Sequence, residues 1–111
     1  MNIKFDNGNE LNTKYNIGDK VYACKVYLVQ HHDGTCTKET IIEMGTFYTN
    51  KRDERGFVKT EELPMVYTVE DIEISVLDMK ATYKLRNTLL NSVIPHSTKS
   101  VTEDMIYGKA E

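Results

Sequence analysis

Residues 15–49 read YNIGDKVYACKVYLVQHHDGTCTKETIIEMGTFYT, and their pattern decides the fold class. Residues 21–29 are rich in Val, Tyr and Leu, side chains that suit a pleated, half-buried surface. By the two-residue period of a strand, Tyr22, Cys24, Val26 and Leu28 share one face. Val21, Ala23, Lys25, Tyr27 and Val29 share the other. The second face is almost as apolar as the first, which predicts a strand covered on both sides for part of its length. Asp33-Gly34 is the strongest turn signal in the chain. A two-residue type I′ turn needs positive φ at both central positions, which Gly tolerates fully and Asp better than most residues. With Asp33 and Gly34 as the central pair, His31 opposes Cys36, Val26 opposes Ile41 and Cys24 opposes Glu43. The returning strand carries Ile41, Ile42, Met44, Phe47 and Tyr48. Its apolar face switches near Gly45, so a bulge or sharp coil is expected there.

The remainder extends this hairpin. Residues 1–14 form either a short strand and turn around Gly8 or a mobile arm over 1–13. Residues 50–56, NKRDERG, are a loop. Residues 57–63 are ambiguous, because Thr60 could open a helical turn while Pro64 disfavours the α conformation before it. Residues 65–69 are a short strand. Ile72, Ile74 and Val76 alternate with polar residues as a half-exposed strand, with Glu70-Asp71 marking the bend between the two. A strand near 80–86 gives way to a short helix or loop over 87–93, which Pro95 ends. Residues 96–102 read as loop. Residues 101–107 form either a last strand or a helical turn capped by Thr102, and 108–111 are tail. The fold class is therefore mainly β: a small antiparallel barrel or strongly coiled sheet. It carries at most one short helix near the C-terminus and forms a single domain over 1–111, with its core in 15–86.

The totals exclude more than they specify. The 111 residues hold 40% hydrophobic and 28% charged side chains, a globular balance with a modest core. A net charge of −3 argues against a broad nucleic-acid surface, which is normally strongly basic. No apolar run approaches the ~18 residues of a membrane span. The first eleven residues lack the basic start and apolar middle of a signal peptide, so a cytoplasmic protein with no membrane association is expected. Cys24 and Cys36 lie about six residues apart along the hairpin, roughly 20 Å, too far for a disulfide.

Candidate chemistry is sparse. His31, His32, Asp33 and Cys36 are the metal-like cluster, but two neighbouring ligands on a hairpin do not make a zinc site. A Cys36 thiol beside His31 is the one nucleophile pair on offer. The glycines are scattered at turns rather than gathered into a phosphate loop. Paired carboxylates at 61–62, 70–71 and 103–104 point to opposite strand faces and read as solvated edges. No metal, cofactor or catalytic residue is expected. The candidate binding residues are Lys51, Arg52, Arg55 and Lys59 around the basic loop, with the strand tyrosines Tyr27 and Tyr48 as stacking surfaces.

The opening YNIGDKVY, the long second strand ending in a polar loop, the strand MVYTV and the closing SVTEDMIYGKAE resemble small SH3-like barrel proteins. These are accessory proteins of bacteriophages and other mobile elements of low-GC bacteria. The resemblance covers about residues 14–85 and 100–111, and residues 77–99 depart from it as an insert. It implies an SH3-like barrel and a non-enzymatic module that binds a host protein in the host cytoplasm, with inhibition of a host defence system as a special case. The alternative is a nucleic-acid or nucleotide-binding barrel that uses the tyrosines and the basic loop.

Overall fold

The computed structural model describes residues 2–6, 8–87, 89, 91–94 and 96–110. The chain is mainly β, built from antiparallel strand pairs. Its strands are β1 (Asn2–Lys4), β2 (Glu10–Asn12), β3 (Lys20–Gln30), β4 (Cys36–Ile42), β5 (Met44–Arg52), β6 (Val58–Pro64), β7 (Val66–Ser75), β8 (Lys80–Asn87), β9 (Thr98–Thr102) and β10 (Ile106–Lys109). A 3-10 turn, Glu103–Met105, follows Thr102, which occupies the N-cap position without a side-chain capping bond.

Three long strand runs meet at one point. The first is β3; the second is β4 continuing through Glu43 into β5; the third is β6 continuing through Met65 into β7. Each pairs with one neighbour on one side of its bend and with the other neighbour beyond it. β3 pairs with β7 at Val21↔Tyr67 and with β4 from Cys24↔Ile42 onward. β5 pairs with β6 from Met44↔Pro64 onward. At the crossing, the Glu43 N–H donates to the Ala23 carbonyl (2.8 Å) and the Met65 N–H donates to the Glu43 carbonyl (2.8 Å). Both ladders therefore continue unbroken into the joint, as buried backbone groups require. β7 and β4 occupy the same edge of β3 in succession: the Asp19 carbonyl accepts from Val69 and the Ala23 carbonyl from Glu43. The Lys20 carbonyl faces the other edge and accepts from Ala110, which extends the β10 pairing.

Two hairpin arms leave this joint, β3–β4 beyond Cys24 and β5–β6 beyond Met44. The body is an open sheet of order β10-β3-β7-β8-β9. The expected closure into a barrel does not occur among the described residues. The two arms diverge from the sheet as two-stranded ribbons instead of curling back onto it. The molecule measures 65 × 43 × 20 Å with a radius of gyration of 18.1 Å, against roughly 13 Å for a compact chain of this length.

The core lies on one face of the body sheet. Val21, Ala23, Tyr67, Val69, Tyr83, Leu85 and Ile106 are buried there, with Tyr15 and Phe47 packed over them. The Tyr15 and Tyr83 rings meet edge to face at 5.7 Å, a favoured aromatic geometry. A bulge keeps this face apolar along β7. The register passes from Val69↔Leu85 to Asp71↔Lys84, so Glu70 is the extra residue, and the apolar phase moves from Tyr67 and Val69 to Ile72 and Ile74. The bend expected at Glu70-Asp71 is this bulge inside one continuous strand.

Several expectations need correction. The Asp33-Gly34 turn is not a two-residue loop. His31 N donates to Thr35 O and Gly34 N to His31 O, with Gly34 at φ +87°. This is a three-residue loop, a type I turn closed by a left-handed glycine. The extra loop residue shifts the register by one: Gln30, not His31, opposes Cys36, and Cys24 opposes Ile42. Asp33 Oδ1 favours this geometry by accepting from Thr35 N (2.9 Å) and Thr35 Oγ1 (2.7 Å). The β5–β6 tip repeats the design, with Asp53 N to Phe57 O, Gly56 N to Asp53 O and Gly56 at φ +85°. Of the first fourteen residues, Asn2–Lys4 and Glu10–Asn12 pair as the β1–β2 hairpin. Residues 57–63 lie in or enter β6, residues 98–102 form β9 rather than loop, and Gly108 and Lys109 belong to β10 rather than a tail. The reading of 87–93 as helix or loop falls partly on Thr88 and Leu90, which with Pro95 lie outside the described residues; Asn91–Ser92 is turn and bridge.

Gly45 is the close contact that the joint requires. A Cβ built there would overlap Met65 Sδ and lie 2.9 Å from Met65 Cγ. Gly45→Ala is expected to lower stability by about 1–3 kcal/mol through overpacking, and Gly45→Val by more, measured by urea denaturation. Unchanged midpoints for both variants would mean that β5 and Met65 are not in contact.

Candidate functional site

The arms are where this chain departs from ordinary packing. Of the fifteen exposed large hydrophobic side chains among the described residues, nine lie on the two arms: Val26, Tyr27, Leu28 and Ile41 on β3–β4, and Met44, Tyr48, Phe57, Val58 and Leu63 on β5–β6. The β3–β4 arm is apolar on both faces. Val26, Leu28 and Ile42 share one, Tyr27, Val29 and Ile41 the other, by the observed pairing. The two-sided cover expected for β3 extends only over Val21–Cys24, where Val21, Ala23 and Cys24 are buried. Beyond Cys24 the ribbon has solvent on both sides. A two-stranded hairpin alone is marginally stable, so these arms present surface that folding of the chain leaves unused.

The candidate residues divide between the arms. Lys51 and Arg52 end β5, Arg55 sits in the tip turn and Lys59 lies in β6, so the structure gathers these four at one tip, all exposed. Arg52 is partly committed there, since its Nη1 donates to the Gly56 carbonyl (2.8 Å). Tyr48 stands near the root of the same arm, where its N–H donates to Asn91 O. Tyr27 is on the other arm, with its hydroxyl donating to Glu39 Oε2 (3.0 Å); that carboxylate pushes its pKa up. The two tyrosines and the basic tip therefore do not form one surface. His31 and Cys36 fall on opposite faces of the β3–β4 ribbon once the true register is applied, which undoes their expected pairing, and His31 Nε2 instead contacts Thr37 Oγ1 (2.8 Å). Among the described residues no group of three or more His, Cys, Asp or Glu side chains could hold a metal ion. Nor is any helix long and apolar enough to cross a membrane.

Sequence reasoning did not find the cleft at the root of the β5–β6 arm. It encloses about 410 Å³, within the range of ligand pockets. Met44, Met65, Val93 and Ile94 give it apolar surface, and Thr46, Ser92 and Thr98 supply hydroxyls. Ser92, Val93 and Ile94 form one wall and are held by two anchors. The buried Asn87 donates through Nδ2 to Ile94 O (3.2 Å) and accepts from Leu89 N (3.0 Å). Residues 91–93 then pair with the root of β5 through Tyr48 N to Asn91 O and Val93 N to Thr46 O, each 2.8 Å. The opposite wall carries a half-buried charge pair, Lys99 Nζ to Glu43 Oε2 at 2.7 Å. The ammonium also lies 5.0 Å from the Tyr67 ring centroid, a cation–π distance. Burial, then the hydrogen bond to Glu43, raises the Tyr67 phenol pKa well above its ordinary value. These groups come from β7, the β4–β5 joint and β9, too far apart in sequence for any local motif to announce them.

Comparison with protein-family models, with curated proteins and with solved structures returned no match.

Two outcomes follow from this chemistry. Lys99→Met is expected to cost roughly 1–3 kcal/mol, because it leaves the Glu43 carboxylate half-buried without its cation; thermal melts of Lys99→Met and the Lys99→Met/Glu43→Gln double variant check this, the second expected to recover part of the loss. The buried tyrosines also set an alkaline limit. Burial and the bond to Glu103 push the Tyr83 phenol up to about 12, so the folded state holds that proton more tightly than the unfolded one. The resulting stability is complete below the unfolded phenol pKa of about 10. It is lost as pH rises through about 12, at about 1.4 kcal/mol per pH unit for each such tyrosine. Melting temperatures flat to about pH 10 and falling beyond it are expected, with a smaller fall in Tyr83→Phe.

Proposed function

We propose that this chain is a non-enzymatic binding module that grips a partner protein between or along its two arms. The supporting observation is the two-faced apolar β3–β4 ribbon: a strand pair with Val26, Leu28 and Ile41 uncovered gains stability when another protein covers it. Arms of this size are adequate for the purpose. A ribbon about seven residues long and two strands wide offers roughly 200–250 Å² per face. Two arms with two faces therefore approach the ~800 Å² that each partner contributes to a standard interface. The resemblance to SH3-like accessory proteins of bacteriophages and mobile elements points to a host protein in the host cytoplasm as the partner, with inhibition of a host defence system as the special case.

The nucleic-acid or nucleotide reading rests on the gathering of Lys51, Arg52, Arg55 and Lys59 at one tip. Asp53 and Glu54 interleave with these cations, and Tyr27 is on the other arm. Apolar burial and phosphate contact differ in salt response, since phosphate binding weakens steeply as salt rises.

A photo-activated cross-linker placed at Leu28 is expected to give one discrete protein adduct in bacterial host lysate, persisting at high salt and absent when the linker replaces Glu73 on the body sheet. An adduct to nucleic acid, or equal labelling from both positions, would remove the protein-gripping reading.

A further inference from the structure

From the charge and apolar surface of the β5–β6 tip and the cleft at the joint, we infer that the Phe57 tip of one copy seats in the joint cleft of a second copy, a head-to-tail contact. This deepens the binding reading by naming the occupant of one arm.

Phe57 is 66% exposed and its neighbour Val58 40% exposed, the largest apolar feature at the tip. The cleft that suits it is lined by the thioethers of Met44 and Met65 and by Val93 and Ile94. Methionine sulfur packs favourably against aromatic rings and adapts to their shape. Gly45 keeps one wall without a side chain. The Phe57 ring cannot reach the cleft of its own chain. β5 runs from Gly45 at the cleft to Arg52 at the tip, about 23 Å of extended strand at ~3.3 Å per residue, and β6 holds it straight. Only another molecule can supply the ring.

Charge favours the same arrangement. Residues 51–59 hold Lys51, Arg52, Arg55 and Lys59 against Asp53 and Glu54, a net +2, so a chain of net −3 leaves −5 on everything else. Glu61 and Glu62 on β6 belong to the same arm and residues 25–42 are neutral overall, so the body carries −3, with the Glu43 and Lys99 of the cleft offsetting each other. Two tips meeting symmetrically would repel, whereas a tip meeting the body of another copy is attracted. The contact is therefore heterologous: the surface that is given differs from the surface that receives. Such contacts propagate into a ring or an open chain.

Sedimentation velocity of the intact chain tests this. The wild type is expected to rise above the 12.8 kDa monomer mass with concentration, and less so as salt is raised. Phe57→Ala and Ile94→Glu, both at exposed positions, are each expected to stay monomeric while keeping the wild-type circular dichroism and melting midpoint. Mixing the two variants joins the intact cleft of one with the intact tip of the other. It is expected to give a 1:1 dimer that grows no further. A monomeric wild type at all concentrations, self-association that survives Phe57→Ala, or a mixture that stays monomeric overturns the inference. A monomeric wild type that still gives the Leu28 adduct removes this contact and leaves the binding reading in place.

Discussion

Two backbone hydrogen bonds carry the architecture. Glu43 donates its N–H to Ala23 and accepts at its carbonyl from Met65, so one residue belongs to two ladders at once. Without that shared residue the second and third strand runs would have to continue along β3 or β7, and the chain would be an ordinary meander. With it, each of three runs changes partner at the same level. The joint is tolerable energetically because the Glu43 N–H, the Glu43 carbonyl and the Met65 N–H are all paired and because Gly45 has no side chain where Met65 packs. The Glu43 side chain adds a second tie, holding Lys99 at the head of β9 and, through it, the face of Tyr67. Body sheet, arm root and cleft are thus set by the same few residues.

Stability is distributed unevenly as a consequence. The body sheet buries Val21, Val69, Tyr83 and Leu85 completely, and the arms bury little. Apolar burial at about 25 cal/mol per Å² therefore protects the body far more than the ribbons. The arms hold their form through ladder hydrogen bonds, cross-strand pairs such as Tyr27–Glu39, and tip turns locked by Asp33 and Asp53. That combination leaves a well-buried body sheet from which extended, partly apolar, solvated strands project.

The β class, the hairpin centred near Gly34 and the alternation along β3, β7 and β8 were legible in local pattern, since each depends on side-chain period and turn chemistry within a few residues. The register differs by one because Asp-Gly serves both a two-residue loop and the end of a three-residue one. The bulge or coil expected near Gly45 is instead a change of partner at Glu43, between β4 and β5, while the ladder runs in regular register through Gly45; the side chain that crowds Gly45, Met65, lies twenty residues on. β9 was read as loop because Thr98–Thr102 is polar and earns its place only as an edge strand against β8.

The sequence by itself determined that this chain is made of strands, where most of them turn, and that its two cysteines sit on one hairpin six residues apart. These follow from local forces: backbone preference, alternation and glycine at positive φ. Only the tertiary structure decided that the strands exchange partners at Glu43 instead of closing a barrel. It also decided that β3 is covered only over Val21–Cys24, and that Glu43, Tyr67 and Lys99 meet at one wall of a cleft. Those outcomes turn on which edges pair at long range, and hydrogen-bonding edges are the same for every residue, so they leave no trace in composition or spacing.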